Sequence, residues 1–173
     1  HLSLSGAGLL ITEASAVHPH GRISRHDLGL WSDRHAEALA PVMAFCRQHG
    51  GAKLGMQLYH AGRKGSVTVA WEGQKPVSVE QGGWPIVNAS AIAYPGRDMP
   101  LALDEAGIRM LIQSFADAAR RADAIGIQIV PDRSLHRAGP GADISKVRDS
   151  LLERHHRRRL SDIGLPRHIP AIR

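Results

Sequence analysis

Apolar positions along this chain follow two periods in alternation. Gly8-Leu9-Leu10-Ile11-Thr12 is a short apolar run that opens onto a polar stretch with Gly, Pro and His, and it reads as a buried strand leaving the core. Ala36, Leu39, Ala40 and Met43 then recur at three- and four-residue steps, which predicts a helix over 33–49 with Ser32 as its cap. Gly50-Gly51 ends it, and Pro41 removes one backbone donor from its interior. A second strand is predicted over 53–59, between glycine-containing segments. From His60 to Pro100 no helical pattern appears. Gly, Pro, Ser and Trp punctuate the excursion, and a loop of that length is expected to be functional or disordered. Asp104 then caps the clearest element, a helix over 104–125 with Ile108, Leu111, Ile112, Phe115, Ala119 and Ala122 on one face. Ile127-Gln128-Ile129-Val130 starts a third strand.

Strands alternating with helices predict a parallel sheet, because parallel neighbours need a crossover connection. The fold class is therefore α/β. A complete (β/α)8 barrel takes about 250 residues, and this chain has 173. A piece of a barrel and a small open sheet both satisfy the pattern.

Charge divides the chain. The net charge is +6, yet residues 1–130 hold 12 basic and 11 acidic side chains, whereas residues 131–173 hold 10 and 5. All seven aromatic residues lie at or before Phe115. Two regions are expected: an α/β unit over 1–130 and a basic C-terminal tail over 131–173. The run Arg154-His155-His156-Arg157-Arg158-Arg159 is an electrostatic footprint without aromatic residues to stack bases, so a solvated charged face is expected and nucleic acid is not the expected partner. No apolar run reaches the roughly 18 residues of a membrane span. The opening His-Leu-Ser-Leu-Ser has neither signal-peptide regions nor an initiator Met, as expected of a chain that starts inside a longer reading frame. Cys46, the single cysteine, reads as a small core residue and fits a reducing compartment, the cytoplasm by expectation.

The chain has no Walker A loop, no G-x-S-x-G elbow and no H-E-x-x-H. His18, His20 and His26 lie in a polar loop without soft ligands, so no metal is expected there. The strand ends are more informative, since α/β folds carry their sites at the C-terminal ends of strands. The first strand runs into Glu13-Ala14-Ser15, and the second ends Gln57-Leu58-Tyr59-His60-Ala61-Gly62-Arg63-Lys64. A primary amide such as Gln57 offers two donors and an acceptor to a flat ring edge, and a small residue such as Ala14 admits close backbone approach. His60, Arg63 and Lys64 would add donors and positive charge at that rim.

These residues carry a resemblance. Leu10-Ile11-Thr12-Glu13-Ala14-Ser15-Ala16-Val17, Gly21-Arg22-Ile23-Ser24, Asp27-Leu28-Gly29-Leu30-Trp31-Ser32-Asp33, the 57–64 string, Trp71-Glu72-Gly73, Ala89-Ser90-Ala91-Ile92-Ala93 and Phe115–Ala122 follow one another as in the Old Yellow Enzyme family. The chain resembles that family over about residues 4–130. The resemblance implies a partial TIM barrel, FMN as cofactor and NAD(P)H as reductant. It implies an ene-reductase reaction, in which hydride passes through FMN to an activated alkene, the small-molecule substrate. It places Gln57 on the flavin pyrimidine edge, Ala14 against the isoalloxazine and Tyr59 in the substrate pocket. Beyond Val130 the chain departs from the family. The Glu-x-His-x-x-His stretch is replaced by Pro131-Asp132-Arg133-Ser134-Leu135-His136, which leaves the catalytic residues unassigned and predicts weak or absent activity. The later barrel strands and the family's first strand have no counterpart, so the chain is expected to be an incomplete barrel that self-associates through open edges. The alternative is a non-catalytic α/β remnant whose basic tail binds polyanions or a partner chain.

Overall fold

The computed structural model describes residues 1–131; Pro131, expected to open the basic tail, belongs to the last strand, and the rest of that tail lies outside the described residues. A central sheet contains strands β1 (Leu9–Ile11), β2 (Ser15–Ala16), β3 (Lys53–Tyr59) and the last strand of the chain order, Gln128–Pro131. Between them lie helices α1 (Asp33–His49) and α2 (Glu105–Ala124) and two short strands, β4 (Val87–Asn88) and β5 (Leu101–Ala102), so Gln128–Pro131 is β6. β1 and β2 both pair with one edge of β3, and β6 with the other. Every one of these pairings is parallel. The predicted strand order and both covering helices are therefore present, with ends shifted by at most about one residue.

Local chemistry accounts for the helix ends. The Asp104 carboxylate accepts from the backbone N–H of Gly107 at 2.7 Å, satisfying one of the donors that the first turn leaves unpaired. Ser32 stands at the N-cap of α1 without capping it through its side chain; its Oγ lies 2.6 Å from His35 Nδ1 instead. At the far end the Gly50 N–H donates to Cys46 O.

β3 supplies the core. Leu54, Met56 and Leu58 alternate onto the face covered by the helices and pack with Val17, Leu30, Ala36, Met43 and Ile127. Ala118 and Ala122 of α2 are completely buried in the same cluster, so the helix approaches the sheet through methyl groups. Leu111, Phe115, Ala119 and Ala122 of the expected stripe pack with the core, joined in this seam by Ala118 and, at the C-cap, Ile125. Ile108, placed in the core by its periodicity, is 42% exposed. It precedes the first seam residue by three positions, near the start of the helix. Cys46 and Phe115 are partly buried against the core, in line with their reading as packing residues.

The opposite face of the sheet has no covering helix among the described residues. Leu9 and Ile11 of β1 are 51% and 44% exposed, while Leu10 between them packs against the core. The excursion from His60 to Pro100 is an ordered set of turns with its own buried residues, Val67, Val69, Trp84 and Ile86. Ser66 holds it together, donating through Oγ to Val77 O at 2.8 Å and accepting there from the Trp84 N–H at 3.0 Å. A Cβ on Gly83 would stand 2.0 Å from Val77 O, so only glycine permits this crossing.

Met56 fills the centre of this arrangement. Met56→Ala is expected to cost about 2–5 kcal/mol by leaving a cavity, whereas Ile108→Ala should cost no more than about 1 kcal/mol at its exposed site. Urea denaturation of the two variants checks the seam; equal losses would place Ile108 in the core after all.

Candidate functional site

The site grows from the alternation of β3. With Leu54, Met56 and Leu58 turned to the helices, Gly55, Gln57 and Tyr59 belong to the helix-free face. Ile11 pairs with Gly55, but Ser15 pairs with Leu58, so four steps along one strand match three along β3. The extra residue is a bulge over 12–14, which interrupts pairing beside Ala14. Thr12 N still donates to Gly55 O at 2.9 Å. Bulges redirect the chain at sheet margins, and this one frees the backbone of Ala14 from the ladder.

Ala14 and Tyr59 line a common open cleft of about 520 Å³ with Ile23, Leu28, Val69 and Trp71. Gln57 is not on that lining. It is half-buried two residues before Tyr59, and its amide has no hydrogen-bond partner among the described residues. Tyr59 is buried and its hydroxyl donates to Asp27 Oδ2. Asp27 also accepts from the N–H of Ile23 at 2.7 Å, the N–H of Ser24 at 3.2 Å and the hydroxyl of Ser24 at 2.7 Å. One carboxylate thus ties the 23–27 loop to the end of β3. Burial, then the hydrogen bond from the phenol to Asp27, push the Tyr59 pKa up, so the phenol keeps its proton. Tyr59 is a fixed wall of the cleft.

His60 is not a rim donor. It is 7% exposed, and its Nδ1 accepts from the Gly62 N–H at 3.1 Å, which leaves the proton of the neutral ring on Nε2. Burial, with the neighbouring His18 and His20, pulls its pKa down to about 4. A Cβ on Gly21 would meet the His60 ring at 2.7 Å, so the ring and the 19–21 turn are in close contact. Arg63 and Lys64 lie over the Tyr94 ring at 5.9 and 4.9 Å. No group of three His, Cys, Asp or Glu among the described residues is placed to hold a metal ion.

Sequence reasoning missed Arg22. Its guanidinium lies over Trp31 at 5.3 Å and Trp84 at 4.7 Å, while Nε donates to Pro19 O at 2.8 Å. This contact joins the loop after β2 to the excursion after β3. A Gly-Arg pair followed by distant tryptophans is the only signal in the sequence, and nothing local announces that the three meet.

A parallel sheet with helices on one face, and a cleft beside the bulge after β1 and the C-terminal end of β3, define a segment of an α/β barrel. Residues 2–132 match the NADH:flavin oxidoreductase / NADH oxidase family, and the chain belongs to it. An NADPH dehydrogenase of Geobacillus thermodenitrificans is 36% identical over 135 residues, covering 78% of this chain and 35% of that protein. An NADH:flavin oxidoreductase of Gibberella zeae is 38% identical over 136 residues, covering 76% of this chain and 33% of that protein. The chain thus spans about a third of the length of these relatives. The same fold is seen in morphinone reductase, with a TM-score of 0.65 at 21% identity, covering 87% of this chain and 48% of that one. An old yellow enzyme homologue from Zymomonas mobilis gives 0.62 at 24% identity, covering 88% and 47%. Among the described residues no helix is long and apolar enough to cross a membrane.

His60 makes stability depend on pH. Its folded pKa of about 4 lies below the ordinary 6.5, so the unfolded chain binds the proton more readily. Stability is full above pH 6.5 and falls as the pH drops toward 4, by about 3 kcal/mol in total. His18, whose pKa is also lowered, adds in the same direction. Thermal unfolding across that range should show the loss in the wild-type chain, and His60→Gln should flatten the profile.

Proposed function

We propose that this chain forms part of an FMN-dependent NAD(P)H oxidoreductase and supplies the residues that meet the flavin pyrimidine edge. The observation that carries the reading is the unmatched amide of Gln57 on the helix-free face, close along β3 to the bulge that frees Ala14, within the region matched by the family. The residues suit the group. An amide presents two donors and an acceptor, which complement the alternating carbonyls and ring N–H of a pyrimidine edge. Ala14 offers a backbone with little side chain in the way. Tyr59, held by Asp27, bounds the space where a flat substrate would lie, and its phenol keeps its proton on that hydrogen bond. When bound, FMN supplies the hydride acceptance from NAD(P)H and the hydride donation to an activated alkene that resemblance to the Old Yellow Enzyme family implies. With one cysteine in the chain, the reducing cytoplasm is the compartment that fits.

Gln57 and Ala14 address one edge and one face of the flavin only. The chain taken alone is therefore expected to bind FMN more weakly than micromolar, short of about −8 kcal/mol. Flavin fluorescence titration tests this, with Gln57→Leu weakening binding about tenfold by removing the paired amide. Binding unchanged in Gln57→Leu would remove the proposed role. Tight binding with turnover of cyclohexenone and NADPH would show that the chain is sufficient as it stands.

Leu9 and Ile11 also bear on association. Half-exposed on a strand with one edge unpaired among the described residues, they form the kind of surface that pairs with another chain. Self-association through β1 is expected, and light scattering should show its mass decrease in Ile11→Lys. A monodisperse monomer in the wild-type chain at high concentration would refute it.

A further inference from the structure

Among the described residues, three buried side-chain polar atoms have no hydrogen-bond partner: Ser3 Oγ, beside Gly50 at the end of α1, and Trp84 Nε1 and Arg97 Nε. The last two belong to residues lining one pocket of about 360 Å³ in the excursion after β3. That pocket shares no lining residue with the cleft at Ala14 and Tyr59. An unpaired buried donor costs about 1–3 kcal/mol, more when charged, so two on one lining call for an acceptor.

The position of both donors is set by their surroundings. Trp84 is 7% exposed, its backbone N–H is held by Ser66 Oγ, and the Arg22 guanidinium lies over its ring. Arg97 closes a turn through its N–H to Tyr94 O at 2.9 Å. No carboxylate among the described residues comes within ion-pair distance of its guanidinium, although Glu80 and Asp98 reach the same lining. The rest of the wall is largely apolar, built from Val77, Val79, Pro85, Ile86 and Met99.

We propose that this pocket binds a small apolar carboxylate. Indole and guanidinium groups only donate, so the complementary head only accepts. An unpaired guanidinium selects a negative head over a neutral carbonyl. The apolar wall selects a hydrocarbon or aromatic body, and a volume near the lower end of ligand cavities limits its size. Inorganic phosphate fits less well, because it has no apolar body for the wall to cover. Both donors are buried behind this lining, and Met99, on the same lining, is largely exposed.

The test uses the full chain labelled at its tryptophan indoles, with benzoate as the probe. Trp31, Trp71 and Trp84 give three indole N–H resonances, assigned through Trp71→Phe and Trp84→Phe. Benzoate should move the Trp84 resonance downfield saturably, and added FMN should leave that response unchanged, which separates this site from the flavin proposal. Arg97→Gln, at a partly exposed side chain that leaves the fold intact, should weaken benzoate about tenfold or more. Benzamide, which has the same body without the charge, should bind the wild-type chain weaker by a similar factor. A Trp84 resonance that stays still to tens of millimolar benzoate overturns the proposal. Unchanged affinity in Arg97→Gln, equal binding of benzamide, or a response confined to Trp31 or Trp71 does the same.

Discussion

β3 is hydrogen-bonded in parallel on both edges, and its two faces have different neighbours. That arrangement sets the rest of the structure. A strand paired on both sides has no freedom to slip, because a one-residue shift would turn Leu54, Met56 and Leu58 away from the helices and bury Gln57 in their place. The apolar alternation therefore decides which residues reach the other face. Gln57 and Tyr59 owe their position to the core residues between and beside them. The energy that specifies the candidate site is spent on the opposite side of the sheet, against Ala118 and Ala122.

Strand ends alone do not make the cleft. Its walls come from segments that lack regular structure, and each is held by a few polar contacts. Asp27 gathers four donors from three residues, among them the phenol of Tyr59. His60 sits neutral against Gly21, and Ser66 bridges Val77 and Trp84. Such contacts are more local in effect than hydrophobic packing, yet each leaves a buried group unpaired when broken.

Much of this was legible in the residues themselves. The three main strands, two helices and the parallel sheet followed from periodicity and caps, because those signals are local and repeat along the chain. In α2 the expected stripe included the exposed Ile108 and passed over the buried Ala118. Hydrophobicity ranks isoleucine above alanine, but contact with a sheet at close range favours the methyl group. His60 was expected at the rim because a histidine beside Arg63 and Lys64 looks like part of a basic cluster; only the fold brings Gly21 and His18 against it. The bulge over 12–14 was illegible for a related reason. It is a property of two strands in register, and neither sequence segment contains it alone.

The Arg22 contact shows how far a site in this fold depends on pairs distant in sequence. Trp31 and Trp84 are 53 positions apart, and the guanidinium over both rings joins the segment that follows β2 to the excursion that follows β3. Stacking of this kind is worth about 0.5–2 kcal/mol per ring, more where water is excluded. It also sets orientation, since a planar cation over a ring face restricts how either side chain turns. Trp84 is then held on its face by Arg22, while the same residue lines the second pocket. Arg22 itself belongs to the loop that carries Ile23, Ser24 and Asp27 to Tyr59. Arg22 thus braces the Trp84 ring on one side and stands in the loop that walls the first cleft on the other. The two cavities share no lining residue, but they share this scaffold.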